Sequence, residues 1–231
     1  MPVKLFILGR PGSGKSHAAR SFELDVRLRD GSFFRINDYE FLQRQFFFDV
    51  NHVRFDPLGD SGFSVRDSTV LDDVLVDVRR EARQCYTSGQ YDLIIIEFAR
   101  SNYRDALQKF GKDFLQDAYF LYIHAELTTC FQRILLRVAN PCTTDDIFIS
   151  EGTLNFFYHE DNRLYMSRDL VAEFGLQEEQ MMCINNMGSV IDFDARLATF
   201  FQRFEARIGR SLETDPLQCI PAAVFEHVAS K

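Results

Sequence analysis

Gly9-Arg10-Pro11-Gly12-Ser13-Gly14-Lys15-Ser16 fits the spacing GxxxxGK[ST]. The residue types dictate a chemistry. Glycines allow positive φ and let backbone amides approach an anion closely. A helix that starts at the end of the loop aims free N–H groups and its positive dipole end at the same anion. Lys15 is placed to reach the β and γ phosphates of a nucleoside triphosphate, and the Ser16 hydroxyl to ligate Mg²⁺. The stretch from Gly9 to His17 is therefore the expected nucleotide-binding segment, with ATP and Mg²⁺ as its expected cofactors.

Two carboxylates stand where strand tips would meet such a loop. Tyr91–Ile96 (YDLIII) reads as a buried strand, and Glu97 is the first acid after it. At the tip of a central strand, Glu97 can bind Mg²⁺ through water or orient a nucleophile. Asp92 precedes the apolar run and belongs to the far end of the sheet. Asp38 follows the strand Ser32–Ile36 (SFFRI) and precedes Tyr39. It can accept a proton from an acceptor hydroxyl, bind a sugar diol, or cap the helix that begins at Tyr39. Arg133 and Arg137 lie four apart, so they share a helix face. They can meet a transferring phosphate together or form a solvated surface. Arg100, three residues past Glu97, is expected on the acceptor side, paired with Asp38, Glu97 or an anion of the acceptor. The five histidines show no catalytic pairing, and His159-Glu160-Asp161 would point in different directions on a helix.

These residues need a scaffold. Val3–Leu8, Ser32–Ile36, Tyr91–Ile96, Ala118–Ile123 and Met181–Ile184 are short apolar runs without period-two alternation. Such runs, alternating with helices, imply a parallel sheet covered on both faces. The spacing predicts helices over His17–Leu24, Tyr39–Phe48, from Ser68 to Gly89 with Ser68 as cap, Asn102–Leu115 with a break near Gly111, Leu127–Val138 and Val190–Ile208, and a helix or two over Gly152–Phe174. Asp49–Asp67 holds Pro57, Gly59 and Gly62 and reads as an irregular excursion or small hairpin. The expected fold is a three-layer α/β P-loop NTPase fold with a five-stranded parallel sheet and a small helical lid. It spans residues 1–210, with the lid at about 139–152 and residues 211–231 as a docked tail. Phe33-Phe34, Phe46-Phe47-Phe48 and Phe156-Phe157 are expected in the core.

Composition bounds the remainder. The chain has 231 residues, one domain's worth, and its 46% hydrophobic and 26% charged residues fit a globular fold. No apolar run approaches the 20 or so residues of a membrane span. Five scattered cysteines without a CxxC or an export signal point to reduced thiols in the cytoplasm. A net charge of −8 disfavours long nucleic acid as a partner. No guanine-reading Asn/Thr-Lys-x-Asp is present, which argues against a GTPase, and the length argues against an AAA-type motor. Nothing in the residues specifies an oligomer.

On these residues the chain resembles the small P-loop kinases of the nucleoside and nucleotide kinase superfamily, nearest in layout to the uridine kinase and nicotinamide riboside kinase group. The resemblance rests on the phosphate loop, on Asn37-Asp38-Tyr39 after the second strand, on the strand ending in Glu97, and on Arg133 and Arg137. In that group a Gly usually follows the strand-end acid. Here Glu97-Phe98-Ala99-Arg100-Ser101 looks more like the Glu-Arg-Ser of deoxynucleoside kinases with its Arg displaced. The resemblance implies that Asp38 takes the acceptor's proton, that Tyr39 and Arg100 line the acceptor site, and that Arg133 and Arg137 act as lid arginines. It also implies that the loop Asn185–Ser189, through Asn186 and Gly188, faces the adenine ring. The implied activity is transfer of the ATP γ-phosphate to a small hydroxyl-bearing acceptor, a nucleoside or nucleoside-like molecule. Two other readings stay open: an NTP-binding regulatory switch with slow hydrolysis, and a kinase acting on a nucleic-acid end or a sugar nucleotide.

Overall fold

The computed structural model describes residues 1–58, 62–141 and 148–208. In chain order the elements are β1 (Val3–Gly9), α1 (Lys15–Arg27), β2 (Phe33–Asn37), α2 (Asp38–Phe48), β3 (Phe55–Pro57), β4 (Phe63–Val65), α3 (Thr69–Ser88), β5 (Leu93–Phe98), α4 (Tyr103–Gln108), α5 (Lys112–Leu115), β6 (Tyr119–His124), α6 (Leu127–Ala139), α7 (Glu151–Tyr158), α8 (Leu170–Phe174), β7 (Met181–Asn185) and α9 (Val190–Phe201). Five strands form one sheet in the order β2-β5-β1-β6-β7, every pairing parallel. The two short strands β3 and β4 pair antiparallel as a separate hairpin, within the segment expected to be an excursion.

Every residue of β1, β5 and β6 is buried, as strands covered on both faces must be. Successive side chains alternate between two cores. Phe6, Leu8, Ile94, Ile96, Phe98, Phe120 and Tyr122 pack under α3, α4 and α8. Val3, Leu5, Ile7, Leu93, Ile95, Leu121 and Ile123 pack under α1 and α9. The helix α3 buries Val70, Val74, Leu75 and Val78 at helical spacing. At about 1.5–3 kcal/mol each, those four give a gross gain of roughly 6–12 kcal/mol before chain entropy is charged.

Register decides what the sheet presents. Ile7 and Asn37 both lie opposite Glu97. The carboxyl ends of β1, β2 and β5 thus finish level, and the loop after β1 opens beside Glu97 and Asp38. Asp92 sits at the other end, where its carboxylate accepts from the Ser32 amide at 2.8 Å.

Several details differ from expectation. Ser68 makes no side-chain cap on α3, because its backbone is already helical (φ −63°, ψ −18°) rather than extended as a capping residue's is; the Asp67 carboxylate accepts from the Thr69 amide at 3.0 Å instead. The helix or two expected over Gly152–Phe174 are α7 and, after a π-turn at Tyr165–Asp169, α8. The last helix stops at Phe201, followed by a 3₁₀ turn at Glu205–Arg207. Phe47, Phe48 and Phe156 are not core residues: they are 69%, 80% and 73% exposed, since consecutive helical positions cannot all face inward. Of the expected lid, residues 142–147 lie outside the described residues, as do Cys142, Cys219 and the whole tail 211–231. Cys85, Cys130 and Cys183 are free thiols. Among the described residues no helix is long and apolar enough to cross a membrane.

Candidate functional site

The loop Arg10–Gly14 joins β1 to α1 and is held from three sides. Gly12 has φ 79°, and a Cβ there would sit 2.5 Å from the Cys130 carbonyl oxygen of α6. Gly14 has φ 111°, and its Cβ would meet the Asn186 amide nitrogen at 2.6 Å. Only glycine satisfies both the dihedral and the space. At the base of the loop, the Gly9 amide donates to the Tyr103 hydroxyl at 2.7 Å, and that hydroxyl lies 3.1 Å from the Gly9 carbonyl. Burial pushes the Tyr103 phenol well above its usual range, so it stays neutral and can both donate and accept.

Lys15 is buried at the first turn of α1, and its Nζ donates to the Arg10 carbonyl at 3.1 Å. Burial lowers its pKa from the ordinary value of 10.5, while Glu97 and Asp38 oppose that shift. The neighbouring Ser16 hydroxyl donates to Glu97 Oε1 at 2.9 Å. The other Glu97 oxygen is gripped by Arg35, with Nε at 3.1 Å and Nη2 at 2.6 Å. Glu97 is thus fixed with one oxygen toward the loop and one toward a cation. Ser16 and Glu97 are two hard oxygen donors side by side, which suits Mg²⁺: that ion takes one or two protein oxygens and keeps waters and phosphate oxygens for the rest. Among the described residues no cluster of three or more His, Cys, Asp or Glu could hold a metal by itself.

Asp38 starts α2, but the cap is Asn37, whose side chain accepts from the Tyr39 amide at 3.1 Å. Asp38 is therefore not spent on capping. Its Oδ2 accepts from Arg100 Nη1 at 2.5 Å, and both side chains are buried. Arg100 also donates to the carbonyls of Ala99 and Leu71.

A cleft of about 280 Å³ gathers these groups. Lys15, Ser16, Asp38, Tyr39, Glu97, Arg133 and Arg137 all line it, so the structure brings together residues that lie up to 122 positions apart (from 15 to 137). Arg133 also donates through Nη2 to the Asn186 carbonyl at 2.9 Å, while its buried Nη1 has no hydrogen-bond partner among the described residues. A guanidinium N–H left in this state is a ready anion donor.

Three expected nucleotide contacts stand elsewhere, and a fourth is engaged by an acid. The Arg10 side chain turns away from the cleft and donates to the carbonyls of Ala125, Tyr158, His159 and Glu160, tying the loop to the end of α7. Five donors in a fork satisfy stray carbonyls at a helix end efficiently. Asn186 spends its side-chain amide on the Ser13 carbonyl at 2.8 Å, so it braces the loop. Gly188 lies with Asn186 in a separate depression against α9. His17 lines the cleft, yet its Nε2 pairs with Asp194 Oδ1 at 2.6 Å.

Sequence reasoning missed Arg35, Tyr103 and an apolar pocket beside the cleft. A lone arginine inside the strand SFFRI was a legible signal for the first. Tyr103 carries no such mark.

No family model matches the chain, and no curated protein matches it. Among solved structures it is similar to a gluconokinase from Sinorhizobium meliloti 1021, at 13% identity over 90% of this chain and 93% of that one, with a TM-score of 0.49. It is similar to a shikimate kinase from Acinetobacter baumannii in complex with shikimate, at 14% identity over 87% and 94%, TM-score 0.46. A sugar kinase from Janibacter sp. HTCC2649 aligns at 13% identity over 90% and 98%, TM-score 0.48.

Proposed function

We propose that this chain is an ATP-dependent phosphotransferase that moves the γ-phosphate of ATP to the hydroxyl of a small acceptor, a nucleoside or nucleoside-like molecule. The observation that carries the reading is the meeting of Lys15, the Ser16–Glu97 pair and Asp38 in one cleft at the level ends of β1, β2 and β5, with Arg100 holding Asp38 from behind the cleft wall. Phosphoryl transfer asks for positioning and charge neutralisation more than for covalent chemistry by the protein. The loop amides and Lys15 hold the triphosphate. Ser16 and Glu97 would hold Mg²⁺, which when bound neutralises phosphate charge. Glu97, held by both Ser16 and Arg35, is assigned to orientation on the nucleotide side. Asp38, across the cleft, is assigned to the acceptor: it binds the hydroxyl and takes its proton as the bond to phosphorus forms. Arg100 fixes the Asp38 carboxylate. Arg133 and Arg137 supply positive charge to the transferring phosphoryl, where electrostatic stabilisation acts most strongly in the transition state. The nucleoside-like acceptor follows the resemblance to the uridine kinase and nicotinamide riboside kinase group, and the paired acids and arginines favour transfer over a slow switch.

The test is a panel of small hydroxyl compounds incubated with ATP and Mg²⁺, following ADP release and product mass, with Lys15→Ala as control. ADP released in step with a phosphorylated product supports the reading. A wild-type protein that shows neither turnover nor thermal stabilisation by any nucleoside triphosphate overturns it, because a ligand that binds the native state must raise its melting temperature.

A further inference from the structure

We propose that the acceptor is an alcohol whose hydroxyl end meets Asp38 while a flat, apolar ring-bearing body sits in a second pocket, between the β3–β4 hairpin and α7. The proposal rests on the phosphotransferase reading and narrows its substrate class.

The pocket offers about 300 Å³ and shares Tyr39, Leu42, Ile149 and Tyr158 with the phosphate-loop cleft, so the two adjoin. Its character is opposite. The cleft is lined by Lys15, Asp38, Glu97, Arg133 and Arg137. The described lining of the second pocket includes no Asp, Glu, Lys, Arg, His, Asn or Gln. Two of its hydroxyls are already engaged: Ser150 and Thr153 lie 2.9 Å apart, and Ser150 Oγ accepts the Thr153 amide at 3.1 Å to cap α7. Burial pushes the Tyr158 phenol up to about 12, so it brings no charge to the junction.

One wall is flat and fixed. Tyr39 stacks on Phe63 with centroids 5.9 Å apart and planes 5° from parallel. Phe63 is braced in turn by Phe46 at 4.7 Å and by the edge of Phe55 at 5.1 Å. Aromatic walls of this kind favour a planar ring over a puckered polyol. A polyol body would meet few partners for its hydroxyls here, and each one left unpaired costs roughly tenfold in affinity. An apolar ring gains affinity from the same surface. Sites of this type pair a mostly apolar enclosure with a few polar groups that set orientation, and Asp38 with Arg100 is that polar group.

The test uses the full chain with Mg²⁺ and a non-hydrolysable ATP analogue. Three probes share the ribose hydroxyls and differ in the body they carry: ribose, uridine and phenyl riboside. Titration followed by ligand-observed NMR is expected to show phenyl riboside binding at least about tenfold more tightly than ribose. Phe157→Ser, and separately Val65→Ser, should remove most of that advantage while leaving the ribose affinity unchanged; melting curves check that each variant folds. Ribose binding as tightly as phenyl riboside, absence of binding by all three, or an advantage that survives both substitutions would overturn the proposal. Thermal stabilisation of the same protein by the ATP analogue and Mg²⁺ separates the two failures. If it is present and ribose is preferred, only the acceptor class falls; if it is absent, the phosphotransferase reading falls.

Discussion

Replacing Arg35 with Met should loosen the carboxylate on which the nucleotide side of the cleft depends. Glu97 has 4% of its side chain exposed and Arg35 has 18%, with Nη2 2.6 Å from Oε2. Removing one partner of a buried pair costs about 3–5 kcal/mol, because the remaining charge is left desolvated without a counter-charge. Arg35 keeps some contact with water, which screens the pair, so the lower end applies, about 3 kcal/mol. For a domain of this size each kcal/mol moves Tm by about 2–4 °C, giving a fall of roughly 6–12 °C. Glu23 loses a more distant contact, 3.8 Å from Nη1, and adds little. The diagnostic is the double variant Arg35→Met/Glu97→Gln. With the uncompensated charge gone it should be more stable than Arg35→Met alone, a coupling that a double-mutant cycle in urea reads directly. Arg35→Met should also need more Mg²⁺ to reach half-maximal stabilisation by ATP, since Glu97 is no longer held toward Ser16. A loss below about 1 kcal/mol, or a double variant no more stable than the single, would refute the claim that Arg35 positions Glu97.

Three further outcomes are expected. Asp38→Asn should leave ATP-dependent thermal stabilisation near wild type and lower turnover by about 10²–10⁴-fold on an identified acceptor; wild-type turnover would remove Asp38 as the base. Lys15→Met should raise the Tm of the ligand-free protein and abolish its stabilisation by ATP, since burying the ammonium is costly until a phosphate arrives. Burial lowers the Lys15 pKa below 10.5, so the unfolded chain binds more protons in the window beneath that value. Ligand-free stability therefore gains from Lys15 as pH rises through the window, ATP affinity falls over the same range, and Lys15→Met should flatten the first trend in denaturation curves. Tyr103→Phe leaves the Gly9 amide without its partner and should cost about 1–3 kcal/mol by urea unfolding, with ATP affinity weakened because Gly9 anchors the loop. An unchanged midpoint would remove Tyr103 from the account of the loop.

Local rules were enough for the parts whose chemistry is local. The phosphate loop is one continuous stretch in which each residue type has its own reason, so Gly12, Gly14, Lys15 and Ser16 could be read directly. The buried strands were legible because a parallel sheet covered on both faces leaves continuous apolar runs, as in Leu93–Ile96. Tertiary structure decided which side chains the shared space would use. Arg10 sits inside the loop motif, but the stray carbonyls at the end of α7 claim its guanidinium. Asn186 was expected at a nucleotide base and braces Ser13 instead. Asn37 took the cap of α2, which freed Asp38 to meet Arg100 from the loop after β5, 62 residues away. The apolar pocket has no sequence signature, because its walls come from β4, α2, α3 and α7, each amphipathic for ordinary reasons. Spacing along the chain specifies elements and contiguous motifs; the partner of a charged side chain depends on which orphaned group lies within reach once the layers have closed, and that is fixed only by packing.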